Sequence, residues 1–243
     1  MDADAGGDGS VDVTPRPVCG PGCACAIGNE FGEKAARRGL RIYRRSGPDR
    51  TTRWLIEGLR GGAAGDVGGL TVLDIGGGVG AVHLELIRAG VAAATDVDGS
   101  PAYVAAARDE AARQGVADRV TWVEGDFVDQ AASVGPVDLV ALDRVICCYP
   151  DMTALVQASV GRARLRYGLV YPRDTWWIRA GSRAFNVVSR LVRSSFRSWV
   201  HRTAAVDLLV REAGFVPSYR RSALFWQVVV YERAGQRDRD GQG

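Results

Sequence analysis

Apolar positions along the chain change period repeatedly, and the changes mark an alternation of strands and helices. "LTVLDIG" (70–76) is an apolar run too short for a helix and closed by glycine, so it predicts a buried strand. It leads through a glycine turn into a helix over roughly 80–89. "VAAATDV" (91–97) is a second strand; the helix after it has Ser100 as N-cap, Pro101 at its first position and Gly115 at its close. "RVTWVEGD" (119–126) and "VDLVALDRV" (137–145) are strands three and four. A helix from about Asp151 to Ala163 and a fifth strand, "YGLVYPR" (167–173), follow. Two helical patterns, "FGEKAARRGLRIYRR" and "TTRWLIEGLR", flank the turn Ser46-Gly47-Pro48 upstream, and "GGAAGDVGG" (61–69) links them to the first strand. Downstream lie a long helical stretch (174–195), a helix near 203–213, and the strand pair "FVPSYRRS" and "LFWQVVVYER". No internal repeat interrupts this order.

Alternating strands and helices predict an α/β fold: a doubly wound, seven-stranded, mostly parallel sheet of Rossmann-like type, with its ligands at the carboxyl ends of the strands. One domain over 29–234 is expected, with an N-terminal helical cap (29–60) and a helical lid insertion (174–200). Residues 1–28, which carry Cys19, Cys23 and Cys25, and the tail 235–243 are polar and glycine-rich, and read as disordered. Tyr43 and Trp54 of the cap are lid candidates, with ordinary packing as the alternative.

At 243 residues, 47% hydrophobic and 24% charged, the chain has the composition of a globular protein with a proper core. No apolar run reaches the roughly 18 residues of a membrane span. Asp2, Asp4, Asp8 and Asp12 make the N-terminus unlike a secretory signal, so a cytoplasmic location and no integral membrane segment are expected. Lys34 is the only lysine among 31 basic residues, and the net charge of +3 gives no reason to expect a nucleic-acid partner. Oligomeric state is not legible.

"VLDIGGGVGAVHLELIRAG" (72–90) carries the first chemistry. Gly76, Gly78 and Ala81 fit a dinucleotide turn whose backbone N–H groups face a pyrophosphate. Asp74, two residues before Gly76, argues against it. An ionised carboxylate about 4 Å from a phosphate would cost on the order of 4 kcal/mol at an effective dielectric of about 20. A sulfonium or ammonium would gain instead, which favours S-adenosylmethionine over NAD and disfavours an NAD oxidoreductase. Capping of the turn's own N–H groups is the other role open to Asp74.

The stretch resembles the D-x-G-x-G-x-G signature of class I S-adenosylmethionine-dependent methyltransferases, and the likeness continues in order through "ATDVDGSP" and "EGDF". It implies Asp74, Gly76, Gly78 and Gly80 at the turn, Asp98 on the ribose hydroxyls with Asp96 as runner-up, Asp126 near the adenine amino group and Phe127 against the ring. Two carboxylate oxygens can accept from two vicinal hydroxyls, which suits an acidic residue at the second position.

The C-terminal half distantly resembles magnesium-protoporphyrin O-methyltransferases through Tyr149, Pro150, His201, Gly214 and Phe215, with Cys148 in place of a histidine. That departure leaves a porphyrin acceptor open to doubt. Methyl transfer is an in-line displacement in which positioning dominates, and a protonated acceptor also needs a base. His201, Tyr149 and Asp143 are the candidates, and His83 reads as local packing or capping. Arg173, Arg179, Trp176 and Trp177 suit an apolar pocket with a cationic clamp for an anionic group; a solvated amphipathic helix and a membrane-surface helix are the alternatives. Cys148 belongs to the expected substrate region, and no metal is assigned.

The resulting expectation is methyl transfer to the O, N or C atom of a small, apolar or anionic molecule. A thiol or metalloid acceptor using the cysteines, and a non-catalytic S-adenosylmethionine-binding partner protein, are the rivals.

Overall fold

The computed structural model describes residues 31–61, 66–194 and 196–235. Helices α1 (Glu33–Ser46) and α2 (Arg50–Leu59) precede strand β1 (Thr71–Ile75) and helix α3 (Ala81–Arg88). Strand β2 (Ala93–Asp98), helix α4 (Pro101–Arg113), strand β3 (Val120–Glu124) and the single turn α5 (Phe127–Gln130) follow. Next come β4 (Val137–Asp143), α6 (Met152–Val160), β5 (Ala163–Pro172), α7 (Trp176–Leu191) and α8 (Thr203–Glu212). The hairpin β6 (Phe215–Ser222) and β7 (Trp226–Arg233) closes the fold.

The sheet has seven strands in the order β3-β2-β1-β4-β5-β7-β6. All neighbouring pairs are parallel except β5 with β7 and β7 with β6. Strand order reverses between β1 and β4, and in such sheets the crevice outside those carboxyl ends is where ligands sit.

Each central strand is covered on both faces, which is why its sequence reads as an apolar run. Leu73, Ile75, Val140, Leu142, Leu169 and Tyr171 pack on one face against Val156 and Val160 of α6 and Val206 and Val210 of α8. Val72, Leu139, Ala141 and Val170 point the other way, onto Leu55, Ile56 and Leu59 of α2 and Val82, Leu86 and Ile87 of α3. Trp54 belongs to the margin of this second cluster, so it packs rather than covering a ligand.

Leu55 and Leu59 are fully buried, and burying such a side chain contributes about 1.5–3 kcal/mol. A Cβ on Gly168 would lie 2.6 Å from Leu55 Cδ1, so α2 rests directly on the backbone of β5. Ser100 Oγ accepts from Tyr103 N, as its capping signal reads, and Asp49 Oδ1, which the sequence reading did not single out, caps α2 through Thr51 N and Thr52 N at 2.8 and 3.1 Å.

Boundaries differ from the reading: the helix expected from about Asp151 to Ala163 ends at Val160, and the fifth strand starts at Ala163 instead of Tyr167. The long C-terminal helix stops at Leu191 rather than near 195, where Arg193 takes a left-handed conformation at φ 57°. Residues 62–65 of the linker, and Cys19, Cys23 and Cys25, lie outside the described residues. No helix among the described residues is long and apolar enough to cross a membrane.

Candidate functional site

A cavity of about 500 Å³ opens at the carboxyl ends of β1, β2 and β4, where the strand order reverses. Its floor is the glycine turn after β1. Gly76 and Gly78 have φ near +60°, a conformation that L side chains rarely adopt. Gly77 is required for a different reason: a Cβ there would stand 2.0 Å from Asp96 Oδ1.

Asp98, the last residue of β2, lines the cavity and ties this turn to the next one. Its Oδ2 accepts from Gly78 N at 2.9 Å and its Oδ1 from Ser100 N at 2.7 Å. Burial pushes its carboxyl above the ordinary range, against the opposing effect of those two N–H donors. Asp126 and Phe127 line the adjoining wall. Asp126 caps α5 through Val128 N at 2.9 Å and accepts from Tyr149 Oη at 2.9 and 3.0 Å.

The opposite wall joins the end of β4 to α2. Asp143 Oδ2 accepts from Thr52 Oγ1 at 2.5 Å, and its Oδ1 lies 3.3 Å from Arg144 Nε. Burial raises the Asp143 carboxyl to about 6, with Arg144 and Thr52 limiting the rise. Arg144 is left-handed at φ 63° and reaches across to pair with Asp49 while donating to Thr51 Oγ1 and Thr52 Oγ1 at 3.1 and 3.0 Å. Tyr149, also on the lining, is pushed up by burial and by Asp126, so its hydroxyl stays protonated and donates. Cys148 lines the cavity with its Sγ 3.7 Å from that of buried Cys147.

Six of the expected site residues lie elsewhere. Asp74 is fully buried beneath the turn, where its Oδ2 accepts from His83 Nδ1 at 2.9 Å and His83 N at 3.3 Å. It is not part of the cavity lining. Gly80 is the left-handed N-cap of α3 and is likewise off the lining. His201 is half-buried behind the wall: its ring Nε2 lies 2.8 Å from the carbonyl of Ile146, and burial pulls its pKa down. Trp199 N donates to Cys147 O nearby, so this segment braces the 146–149 turn instead of reaching the cavity.

Arg173, Trp176 and Trp177 make no wall or clamp. Arg173 N donates to Phe225 O, and Trp176 stands 77% exposed on the outside of α7. The lid expected of 174–200 is therefore absent from the lining; α1 supplies that wall through Gly39, Ile42 and Tyr43, joined by Phe31 before it.

Asp49, Thr52, Tyr103, Arg144 and Gly77 also line the cavity and escaped the sequence reading. Asp49 was not singled out in the sequence, and Gly77, the middle glycine of "GGG", stood only as part of a run. Four aspartates face the cavity (Asp49, Asp98, Asp126 and Asp143), and Arg144 is the one cation among its described lining residues.

Under the turn, Asp74, His83 and Asp96 form a wholly buried cluster. His83 Nδ1 is 3.8 Å from Asp96 Oδ1, and neither oxygen of Asp96 has a hydrogen-bond partner. Burial raises Asp96 to about 8. Burial alone would pull His83 down, but its hydrogen bond to Asp74 and that carboxylate's charge hold it up.

Residues 72–162 match the family model of a methyltransferase domain. Among solved structures, the chain is similar to magnesium protoporphyrin IX methyltransferase from Synechocystis PCC 6803 with bound S-adenosylhomocysteine. That match has 20% identity, a TM-score of 0.68, and covers 87% of this chain and 99% of that one. An O-methyltransferase family protein from Burkholderia thailandensis matches at 20% identity and a TM-score of 0.63, covering 85% and 62%. A sarcosine dimethylglycine methyltransferase assignment from Galdieria sulphuraria matches at 13% and 0.61, covering 82% and 98%. At these identities the likeness establishes a shared fold. No curated protein sequence matches the chain.

Two outcomes follow from the buried cluster. Gly77→Ala should destabilise the chain by about 1–3 kcal/mol through overpacking, and adding Asp96→Ala should recover much of that loss in denaturant unfolding. Asp96 keeps its proton in the folded chain up to about pH 8 against an ordinary 3.8. Its contribution is therefore full below pH 3.8 and is lost as pH rises through 8. Thermal melts of Asp96→Asn across this window should show a shallower alkaline fall than those of the unaltered chain.

Proposed function

We propose that the chain, a methyltransferase of the class that uses S-adenosylmethionine, transfers the methyl group to a hydroxyl oxygen of a small, largely apolar acceptor. One observation carries this reading: a single cavity holds the Asp98 carboxylate at one end and the Thr52–Asp143–Arg144 cluster at the other. Apolar side chains such as Ile42, Phe127, Val145 and Leu155 line the same cavity.

The lining fits the cofactor. Four carboxylates against one guanidinium would repel the pyrophosphate of a dinucleotide and favour a cationic sulfur. Gly76 and Gly77 leave no room for a Cβ, so the ligand would meet bare backbone there. Asp98 would take the ribose hydroxyls on the lone pairs left free by Gly78 and Ser100. Phe127 would pack on the adenine, and Asp126, held by Tyr149, would accept from its amino group. When bound, the cofactor supplies a methyl group on a positively charged sulfur.

Asp143 is the base this reading assigns. Held near 6, it is ionised at neutral pH yet basic enough to take a proton from an acceptor hydroxyl as that oxygen attacks. Thr52 and Arg144 orient it, and the apolar walls keep water from competing. Tyr149 is better suited to donating than to abstracting a proton, and His201 acts at one remove by bracing the 146–149 turn. The lining carries a net negative charge, which favours a neutral or cationic acceptor over an anionic one. Cys148 favours a second reading, in which the acceptor is a thiol or a soft ion gripped by the Cys147–Cys148 pair.

Calorimetric titration with S-adenosylhomocysteine, and separately with NADH, tests the cofactor. Binding of the former alone, lost in Asp98→Ala, is expected; binding of NADH alone would sink the assignment. An acceptor screen over phenols, porphyrins and thiols then tests the chemistry. Asp143→Asn should lower kcat about 10²–10⁴-fold without weakening S-adenosylhomocysteine. In the unaltered chain, kcat/KM should rise with pH and level off above about 6. A Cys148→Ser variant that alone abolishes turnover would favour the thiol reading instead.

A further inference from the structure

Helix α7 presents its apolar face to solvent, the reverse of a helix packed on a sheet. Only Ile178 and Ser189 of its sixteen residues are buried. At about 100° per residue, Trp176, Val187, Leu191, Trp177 and Val188 fall on one arc of about 120°. That arc points outward: Leu191 is 78% exposed, Val187 60% and Val188 56%.

The helix is fixed in this orientation. Ser182 Oγ and Asn186 Nδ2 both donate to Ser198 O, Asn186 Oδ1 accepts from Ser198 N, and Phe185 meets Phe196 edge-on. These contacts use the inner face, so the apolar arc cannot turn inward onto the domain. Next to the start of α7, the β6–β7 hairpin tip rests on Arg173 and exposes Leu224 and Phe225.

Charge singles out the partner. Thr175 to Val206 contains Arg179, Arg183, Arg190, Arg193, Arg197 and Arg202 and no acidic residue. Arg179 pairs with Asp174, which lies before the helix, whereas Arg183 and Arg190 are exposed along one flank of the arc and Arg193 is exposed just past the helix end. An apolar stripe with tryptophan at one end and arginines alongside is the pattern of a helix lying in a bilayer interface, where anionic headgroups meet the guanidinium groups. A second copy of the chain is a poorer occupant, because symmetric pairing would bring the two arginine flanks together.

We propose that α7 and the neighbouring hairpin tip dock the protein on an anionic lipid surface, with Val187, Val188 and Leu191 entering the acyl boundary and the arginines holding the headgroups. The helix lies on the membrane and does not span it. This does not depend on which acceptor is methylated.

Sedimentation with vesicles tests it. The chain should pellet with phosphatidylcholine vesicles that contain phosphatidylglycerol, and much less with phosphatidylcholine alone. Added salt should release it. Val187→Glu/Leu191→Glu should abolish pelleting, and Arg183→Ser/Arg190→Ser/Arg193→Ser should weaken it at least about tenfold. Both variants should keep the unaltered melting temperature and S-adenosylhomocysteine affinity. Failure to pellet with either vesicle, or pelleting unchanged in the Glu variant, would overturn the proposal. So would a concentration-dependent dimer that the Glu variant dissolves, which would make the stripe an interface between copies.

Discussion

The whole site hangs on one carboxylate. Asp98 accepts from Gly78 N with one oxygen and from Ser100 N with the other, and so joins the turn after β1 to the turn after β2. Beside it, the glycine turn, three of whose residues are left-handed or sterically bare, is tied to β2 by the bond from Gly76 N to Val97 O. Ser100 in turn starts α4 and donates through Oγ to Phe31 O, so the same point reaches the N-terminal cap that closes the cavity. Ligand-facing oxygen and structural clamp are one group. Its lone pairs toward the cavity are held in place by the N–H donors behind it.

Beneath this clamp sits a second constraint of opposite character. Asp74, Asp96 and His83 are buried together, and two ionised carboxylates in one dry space would repel strongly without the imidazole between them. His83 is a local residue, as its sequence context suggested, but its surroundings give it a charge to balance. Asp96 also explains why three glycines stand in a row: the middle one yields to the carboxylate below it rather than to any ligand above.

How much of this was legible follows from how each feature is encoded. The strands and their order along the chain were readable because both faces are buried, and the caps of α4 and the closing hairpin were readable because capping is local. Gly76, Gly78, Asp98, Asp126, Phe127, Asp143, Cys148 and Tyr149 reach the cavity because the carboxyl end of a parallel strand has one place to point. Asp74 failed for the same geometric reason: alternation along β1 sends its side chain beneath the turn, where spacing alone cannot distinguish a ligand contact from a buried partner. The argument made for it, that acid disfavours phosphate, is carried by the four aspartates that do face the cavity. Asp49, Thr52 and Arg144 were not legible, since they meet only because α2 lies on β5 through Gly168, a contact between distant segments.

Helix α7 shows the limit of reading amphipathicity without a fold. Its pattern of aromatic, aliphatic and arginine residues is the same whether the apolar side covers a pocket, packs on a sheet or meets a membrane. Position decides: the inner face is already held by Ser198 and Phe196, and the cavity is walled by α1 on the other side of the sequence. A stripe of that breadth left in water costs solubility, so the fold keeps it outward for a partner whose charge answers the arginines. An apolar acceptor partitions into lipid, and a domain resting on the bilayer by α7 would meet such a molecule where it is concentrated. The cavity mouth and the docking helix can therefore serve one reaction while sharing no residue.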